Sequence, residues 1–172
     1  TFEFPKPTTS KEKITLEKAI GDLKESAVAR KNGIGQDGSE CKISNHEYML
    51  GDFSPIFMSR NRVRGWDEVS FTIQAGARHI PIHPQAPKMT FLEQNKREFV
   101  KGKEHLYRRL SVRECARIQT FPDSFIFYYK NISAGYKMIG NAVPVNLARA
   151  IAEKIKIDLE SLNPNSIRTN NK

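Results

Sequence analysis

The residues with most to offer chemically are Arg60, Arg62 and Arg64, which alternate through Arg60-Asn61-Arg62-Val63-Arg64. In an extended backbone alternate side chains share a face, so the three guanidinium groups would project together. A guanidinium fork bonds bidentately to O6 and N7 of guanine in the major groove, a contact worth about 1–3 kcal/mol of base discrimination. Arg78 follows a second strand-like piece, and a neighbouring strand would bring it back beside the row. The same row would also serve as phosphate contacts, since about half to two-thirds of protein–DNA hydrogen bonds go to phosphate and sugar. Arg64, followed by Gly65 and Trp66, reads as a packing or backbone contact more than as a third reader.

A second basic cluster holds Lys96, Arg97, Lys101, Lys103, Arg108, Arg109, Arg113 and Arg117, partly offset by Glu98, Glu104 and Glu114. Phosphate clamping is its expected use, with Arg109 counted among the DNA contacts, and binding should weaken steeply with salt. For Arg113 and Glu114 a buried or partly buried ion pair is an equal alternative, because charged residues are seldom buried unless paired. Gly140-Asn141-Ala142-Val143-Pro144 precedes a final apolar-periodic segment. The glycine permits positive φ or a close backbone approach, and small residues at a helix entrance aim N–H groups and partial positive charge at a nearby carboxylate. Taken alone the segment reads equally as a simple turn.

Other candidates fall away. Cys115 sits in a helical R-E-C-A-R context without the neighbours that activate a thiolate, and reads as a small core residue. Cys41 lies in a polar stretch and is expected to be exposed. His79 and His83 are four apart, but Pro81 and Pro84 preclude the helix that would align them on a metal. Asp67, Glu68 and Asp123 form no convincing carboxylate pair.

The elements that must position these groups are short. The 172 residues allow one ordinary domain, or a small one with an arm, and 38% apolar content supports a modest core. A net charge of +9 suits a phosphate-bearing partner without choosing among nucleic acid, ribosome and membrane surface. No apolar run approaches the ~20 residues that span a bilayer, no signal-peptide pattern opens the chain, and two cysteines suit a reducing compartment, so a cytoplasmic address and no membrane partner are expected. Residues 5–13 read as linker, 14–23 as a short helix and 29–47 as a loop. Apolar pieces at 48–50, 56–58, 69–73 and 79–82 read as strands of an irregular sheet. Ser111 and Glu114 form a capping-box pattern that starts a helix over 112–120, with Val112, Cys115, Ala116 and Gln119 on one side and Phe121-Pro122-Asp123 ending it. A last helix should start at Pro144 and bury Ala148, Ile151, Ala152 and Ile155, ahead of a disordered polar tail.

R-L-S-V-R-E-C-A-R-I-Q-T-F-P-D over 109–123 resembles the ninth conserved block of the DNA (cytosine-5)-methyltransferases of type II restriction-modification systems. Y-K-M-I-G-N-A-V-P over 136–144 resembles their tenth. Phe2-Glu3-Phe4-Pro5-Lys6-Pro7 resembles the strand and linker after the eighth block, and residues 59–89 resemble the target-recognition region of the subgroup that methylates within GGCC. The family's early Phe- and Gly-rich turn, its Pro-Cys nucleophile loop and its Glu-Asn-Val acid do not occur in these residues. The resemblance implies an α+β chain. An irregular, mostly-β target-recognition domain with short helices would be followed by a C-terminal helix completing a Rossmann-like α/β methyltransferase domain.

By that resemblance Arg60, Arg62 and Arg78 would read guanine, and Thr72-Ile73 would fix the DNA around a flipped base. Asn141 and Ala142, with Gly140, would line the methionine end of an S-adenosyl-L-methionine pocket shared with the rest of the enzyme. The expected division is linker over 1–20, recognition domain with the ninth block over 21–122, a docking arm over 123–162 and a tail over 163–172. The expected partners are double-stranded DNA and an N-terminal catalytic half, without which the chain is inactive. A free-standing sequence-specific DNA-binding module, and a remnant that folds poorly, stay open as alternatives.

Overall fold

The computed structural model describes residues 2–7, 12–31, 33, 38, 41–51 and 53–162. The expected tail over 163–172, and parts of the linker and of the loop at 29–47, lie outside them. Helix α1 (Leu16–Ile20) begins where Thr15 Oγ1 accepts the Lys18 N–H at 3.4 Å, and it continues into a 3₁₀ turn over Gly21–Leu23. This matches the helix expected at 14–23, and Leu16, Ile20 and Leu23 point inward. Helix α2 (Val112–Ile118) carries the capping box read from the sequence: Ser111 Oγ accepts the Glu114 N–H at 3.0 Å, while the Glu114 carboxylate accepts the Ser111 N–H at 2.7 Å. Val112, Cys115, Ala116 and Gln119 are all buried, and Thr120 ends the helix in the left-handed region at φ 62°.

Three expectations need correction. First, the loop over 29–47 has strands at its ends: β1 (Val28–Arg30) pairs in parallel with β2 (Glu47–Met49), and Arg30 Nε donates to Glu47 at 3.1 Å. Three residues per strand are too few for alternation to show. Second, the chain is α+β without being mostly β. The piece at 56–58 becomes a 3₁₀ turn over Phe57–Ser59, 69–73 forms no strand, and 79–82 follows a 3₁₀ turn over Ala77–His79. Ile82 makes only single bridges, to Val63 and to Arg109. Those apolar pieces serve as packing anchors, and Pro81, Pro84 and Pro87 lack the N–H a ladder requires. A hairpin of β3 (Thr90–Glu93) and β4 (Lys96–Glu98) turns through Asn95 in the left-handed region at φ 60°.

Third, Gly140 and Asn141 do not open a turn. They close helix α3 (Ile132–Asn141), started by Asn131 Oδ1 accepting the Ala134 N–H at 2.9 Å, and Ile132, Tyr136 and Ile139 form its buried stripe. The turn itself is 142–144, and helix α4 (Val145–Leu162) follows. Its expected burial fails, since no residue of α4 is buried; Ala148 and Ala152 are exposed, and Ile155 is 44% exposed. Ile151 alone of that stripe is half-buried, so most of it stays open to solvent.

Two apolar clusters hold the chain. The larger gathers Leu16, Ile20, Ile73, Ile80, Leu110, Val112, Cys115, Ile132, Tyr136 and Ile139; the smaller gathers Phe57, Val63, Ile82, Met89 and Tyr107. The larger joins residues from both sides of the divisions expected at 20/21 and 122/123, so Leu16 and Ile20 are core and not linker. No described helix is long and apolar enough to cross a membrane.

Candidate nucleic-acid interface

The frame beneath the surface is a buried polar network. Arg108 donates to both Glu114 carboxylate oxygens at 2.8 Å, in the paired fork geometry that makes such contacts strong. His83 Nε2 lies 3.4 Å from Glu114 Oε1. His46 Nε2 donates to Leu23 O at 2.9 Å, which leaves Nδ1 to accept the Ser111 hydroxyl at 2.8 Å. Burial pushes both imidazoles down, His83 to about 4, so both are neutral at pH 7. Arg113 is fully buried but is not paired with Glu114. It donates to Ser44 O, Phe125 O and Pro122 O at 2.8 to 3.2 Å, which ties the loop before β2 to the loop between α2 and α3. Tyr136 packs as expected, its hydroxyl donating to Leu110 O at 2.7 Å.

On this frame the arginine row is not a free comb. Arg60 is extended and exposed. Arg62 donates from Nε to Phe57 O at 2.9 Å and from Nη2 to Ile56 O at 3.2 Å, with its guanidinium 4.9 Å from the Phe57 ring. Arg64 pairs with Glu68 at 2.9 Å and lies 4.3 Å over the Phe71 ring, the packing role read from its neighbours. Arg60 and Arg62 line one recess of about 180 Å³ together with Thr72, Gln74 and His79. Arg78 is exposed and lines a second recess with Gly51, Phe53 and Arg109 and a third with His79, Ser133 and Lys137 of α3, not the recess of Arg60 and Arg62.

Thr72 and Ile73 separate by alternation. Thr72 and Gln74 are exposed, whereas Ile73 is 5% exposed within the larger core. Ile73 is therefore the anchor of this loop, not a surface for DNA. Arg109 also leaves the contact set: at 2% exposure it donates to Met49 O at 3.3 Å and Gly51 O at 3.2 Å, and its guanidinium stands 4.2 Å from the Phe53 ring. Backbone carbonyls hold this cation inside the protein. Gln74 is a recess residue that the sequence reading passed over, and His79, weighed there only as a metal ligand, is another. The signal for Gln74 was present, since a residue two after Thr72 in extended backbone shares its side.

The second basic cluster divides. Lys96, Lys101 and Lys103 are exposed, Lys96 paired with Glu93 at 3.2 Å, whereas Arg108, Arg109 and Arg113 are interior. Arg117 is tied to Asp22 at 2.5 Å and to Asp123 at 2.6 Å. Cys115 is a core residue whose thiol burial pushes well up, and Cys41 is buried, not exposed as expected.

At the other end of the loop, a Cβ placed on Gly140 would lie 2.5 Å from Ala75 Cα and nearer still to Ala75 N and the Gln74 carbonyl carbon. Of the two reasons for a glycine here, close approach is the one realised. The exposed Asn141 carboxamide makes no side-chain hydrogen bond among the described residues, and the Ala142 N–H donates to Ile139 O at 3.0 Å. The α4 amides are not spare, because Val145 N–H donates to Gln119 O at 3.1 Å and Asn146 N–H to Thr120 Oγ1 at 2.9 Å. A free amide and a small neighbour fit one wall of a site for an amino-acid-like group; a helix-entrance anion site does not fit.

The sequence profile described as C-5 cytosine-specific DNA methylase matches residues 1–157, and the chain belongs to that family. It is 59% identical over 161 residues to the type II methyltransferase M.MthTI of Methanothermobacter thermautotrophicus, covering 94% of this chain and 48% of that protein. It is 54% identical over 155 residues to M.FnuDI of Fusobacterium nucleatum, covering 90% and 45%, and 55% identical over 163 residues to M.NgoPII of Neisseria gonorrhoeae, covering 92% and 47%. The chain thus spans about half the length of the curated relatives it matches.

Proposed function

We propose that this chain is the DNA-reading portion of a cytosine-5 methyltransferase, acting on a short G·C-rich site of the GGCC kind in cellular DNA within the cytoplasm. The observation that carries the reading is the single recess that gathers Arg60, Arg62, Thr72 and Gln74, which are fork-shaped donors beside a small hydroxyl and an amide. Arg60 offers a full fork to a guanine edge. Arg62 keeps Nη1 outside its two bonds to backbone carbonyls, and swings further only by releasing Phe57 O and Ile56 O. Arg78 reads from the adjoining wall, Thr72 supports the backbone around an everted base, and Lys96, Lys101 and Lys103 hold phosphates.

S-adenosyl-L-methionine, when bound, supplies the methyl group in this family. Asn141 and Ala142 would hold its amino-acid end as one wall of a pocket completed by the N-terminal catalytic half. Neither cysteine here suits attack on C6, because both are buried and burial keeps Cys115 protonated. The thiolate and the acid are therefore assigned to that half, which would dock on the uncovered apolar stripe of α4, and residues 145–162 form the docking arm.

The test is to mix the chain with the N-terminal half of M.MthTI and score tritiated methyl transfer to a GGCC duplex. Transfer only in the mixture supports the reading. Tight, specific binding by the chain alone with no transfer in the mixture would favour a free-standing DNA-binding module instead.

A further inference from the structure

Gly140 lies at the end of α3 immediately before Asn141, and the backbone it abuts belongs to Gln74 and Ala75. Gln74 also lines the recess with Arg60, Arg62 and Thr72. We infer that Gly140 is a positioning residue, whose missing side chain lets the cofactor-side end of α3 and the base-side loop at 72–78 share one backbone contact, so that occupancy of one is felt at the other. This rests on the functional reading above.

Three features make the contact a coupling and not mere proximity. The obstruction to any larger residue is backbone, which has no rotamer to turn aside. Ordinary contact begins at 3.4 Å where a Cβ on Gly140 would sit 2.5 Å from Ala75 Cα, so loop or helix must yield by about 1 Å. The loop is held on both sides of this point, by Ile73 and Ala77 in the same core as Tyr136 and Ile139. A displacement at 74–75 therefore has little room to dissipate before it reaches Thr72 or Arg78. Shifts of that size at a packed contact are enough to bias two arrangements of an element.

The experiment uses the mixture with the N-terminal half that restores methyl transfer. Binding of a GGCC duplex is measured with and without S-adenosylhomocysteine, and binding of S-adenosylhomocysteine with and without the duplex. In the unsubstituted assembly each should tighten the other by the same factor, about tenfold, since coupling between sites is reciprocal. Gly140→Ala should bring that factor to within about twofold of unity, whatever it does to either ligand's own affinity. Asn141→Ala should weaken S-adenosylhomocysteine alone and keep the factor.

Should Gly140→Ala not fold, hydrogen exchange on the unsubstituted assembly decides. S-adenosylhomocysteine should slow the amides of 72–78 about fivefold or more. A coupling factor unchanged in Gly140→Ala, or exchange at 72–78 indifferent to S-adenosylhomocysteine, overturns the inference alone. An assembly that binds no S-adenosylhomocysteine, or does not prefer the GGCC duplex, overturns the functional reading and takes the inference with it.

Discussion

Among single residues, the structure sorts arginines that the sequence presents as equals. Arg60→Ala in the restored enzyme should relax the preference for one G·C pair by about 1–3 kcal/mol, read as the ratio of kcat/KM on cognate and single-mismatch duplexes. Arg109→Ala should behave differently. It removes a buried cation that bonds the buried Met49 carbonyl and the Gly51 carbonyl at the surface, so unfolding in urea should show a loss of about 2–4 kcal/mol, while the salt dependence of DNA binding keeps its slope. Lys101→Ala should do the reverse, lowering the slope of log K against log salt by about 0.9 and leaving the urea midpoint in place. What separates Arg109 from Lys101 is contact with carbonyls about 60 residues away in the chain, and no local pattern could announce it.

At the level of elements, α2 is the most strongly bonded entry point. Ser111→Ala takes away the cap on the Glu114 N–H and the hydroxyl that bonds His46, and should cost about 2 kcal/mol by urea titration. The same neighbourhood sets a pH dependence. Burial holds His83 near 4 in the folded chain, while the unfolded chain takes up a proton near pH 6.5. The protonated unfolded state gains as pH falls, so stability is complete above about pH 6.5 and drains away down to about pH 4. Urea midpoints from pH 7.5 to 4.5 should fall across that window, and His83→Gln should flatten the fall. Helix α2 was legible because a capping box is local, written in four consecutive residues. Helix α3 was not, for its glycines, serine and asparagine weaken the helical signal, although Asn131 as cap with Ile132, Tyr136 and Ile139 at helical spacing would have disclosed it. The strand expected at 48–50 is met by β2, whereas those at 56–58, 69–73 and 79–82 were misread for a plainer reason: β-branched and aromatic pieces are also what an irregular chain uses to fasten loops to a core.

For the whole molecule, the sequence conveyed α+β character and a basic surface, because composition and motif order are global properties. It did not convey that the final stripe lies uncovered, since periodicity tells which side of a helix is apolar and nothing of what meets it. Ile155 and Leu159 are 44% and 59% exposed. The double change Ile155→Glu with Leu159→Glu should leave the chain's own stability within about 0.5 kcal/mol and abolish methyl transfer on mixing. Gln119 and Thr120 hold the first two amides of α4, so the helix is stepped like a mast into a fixed deck, already coiled and already aimed. Joining should then run at the pace of diffusional encounter. Stopped-flow mixing is expected to show one phase that quickens in proportion to concentration, with no slower concentration-independent phase from coiling or swinging the helix into place.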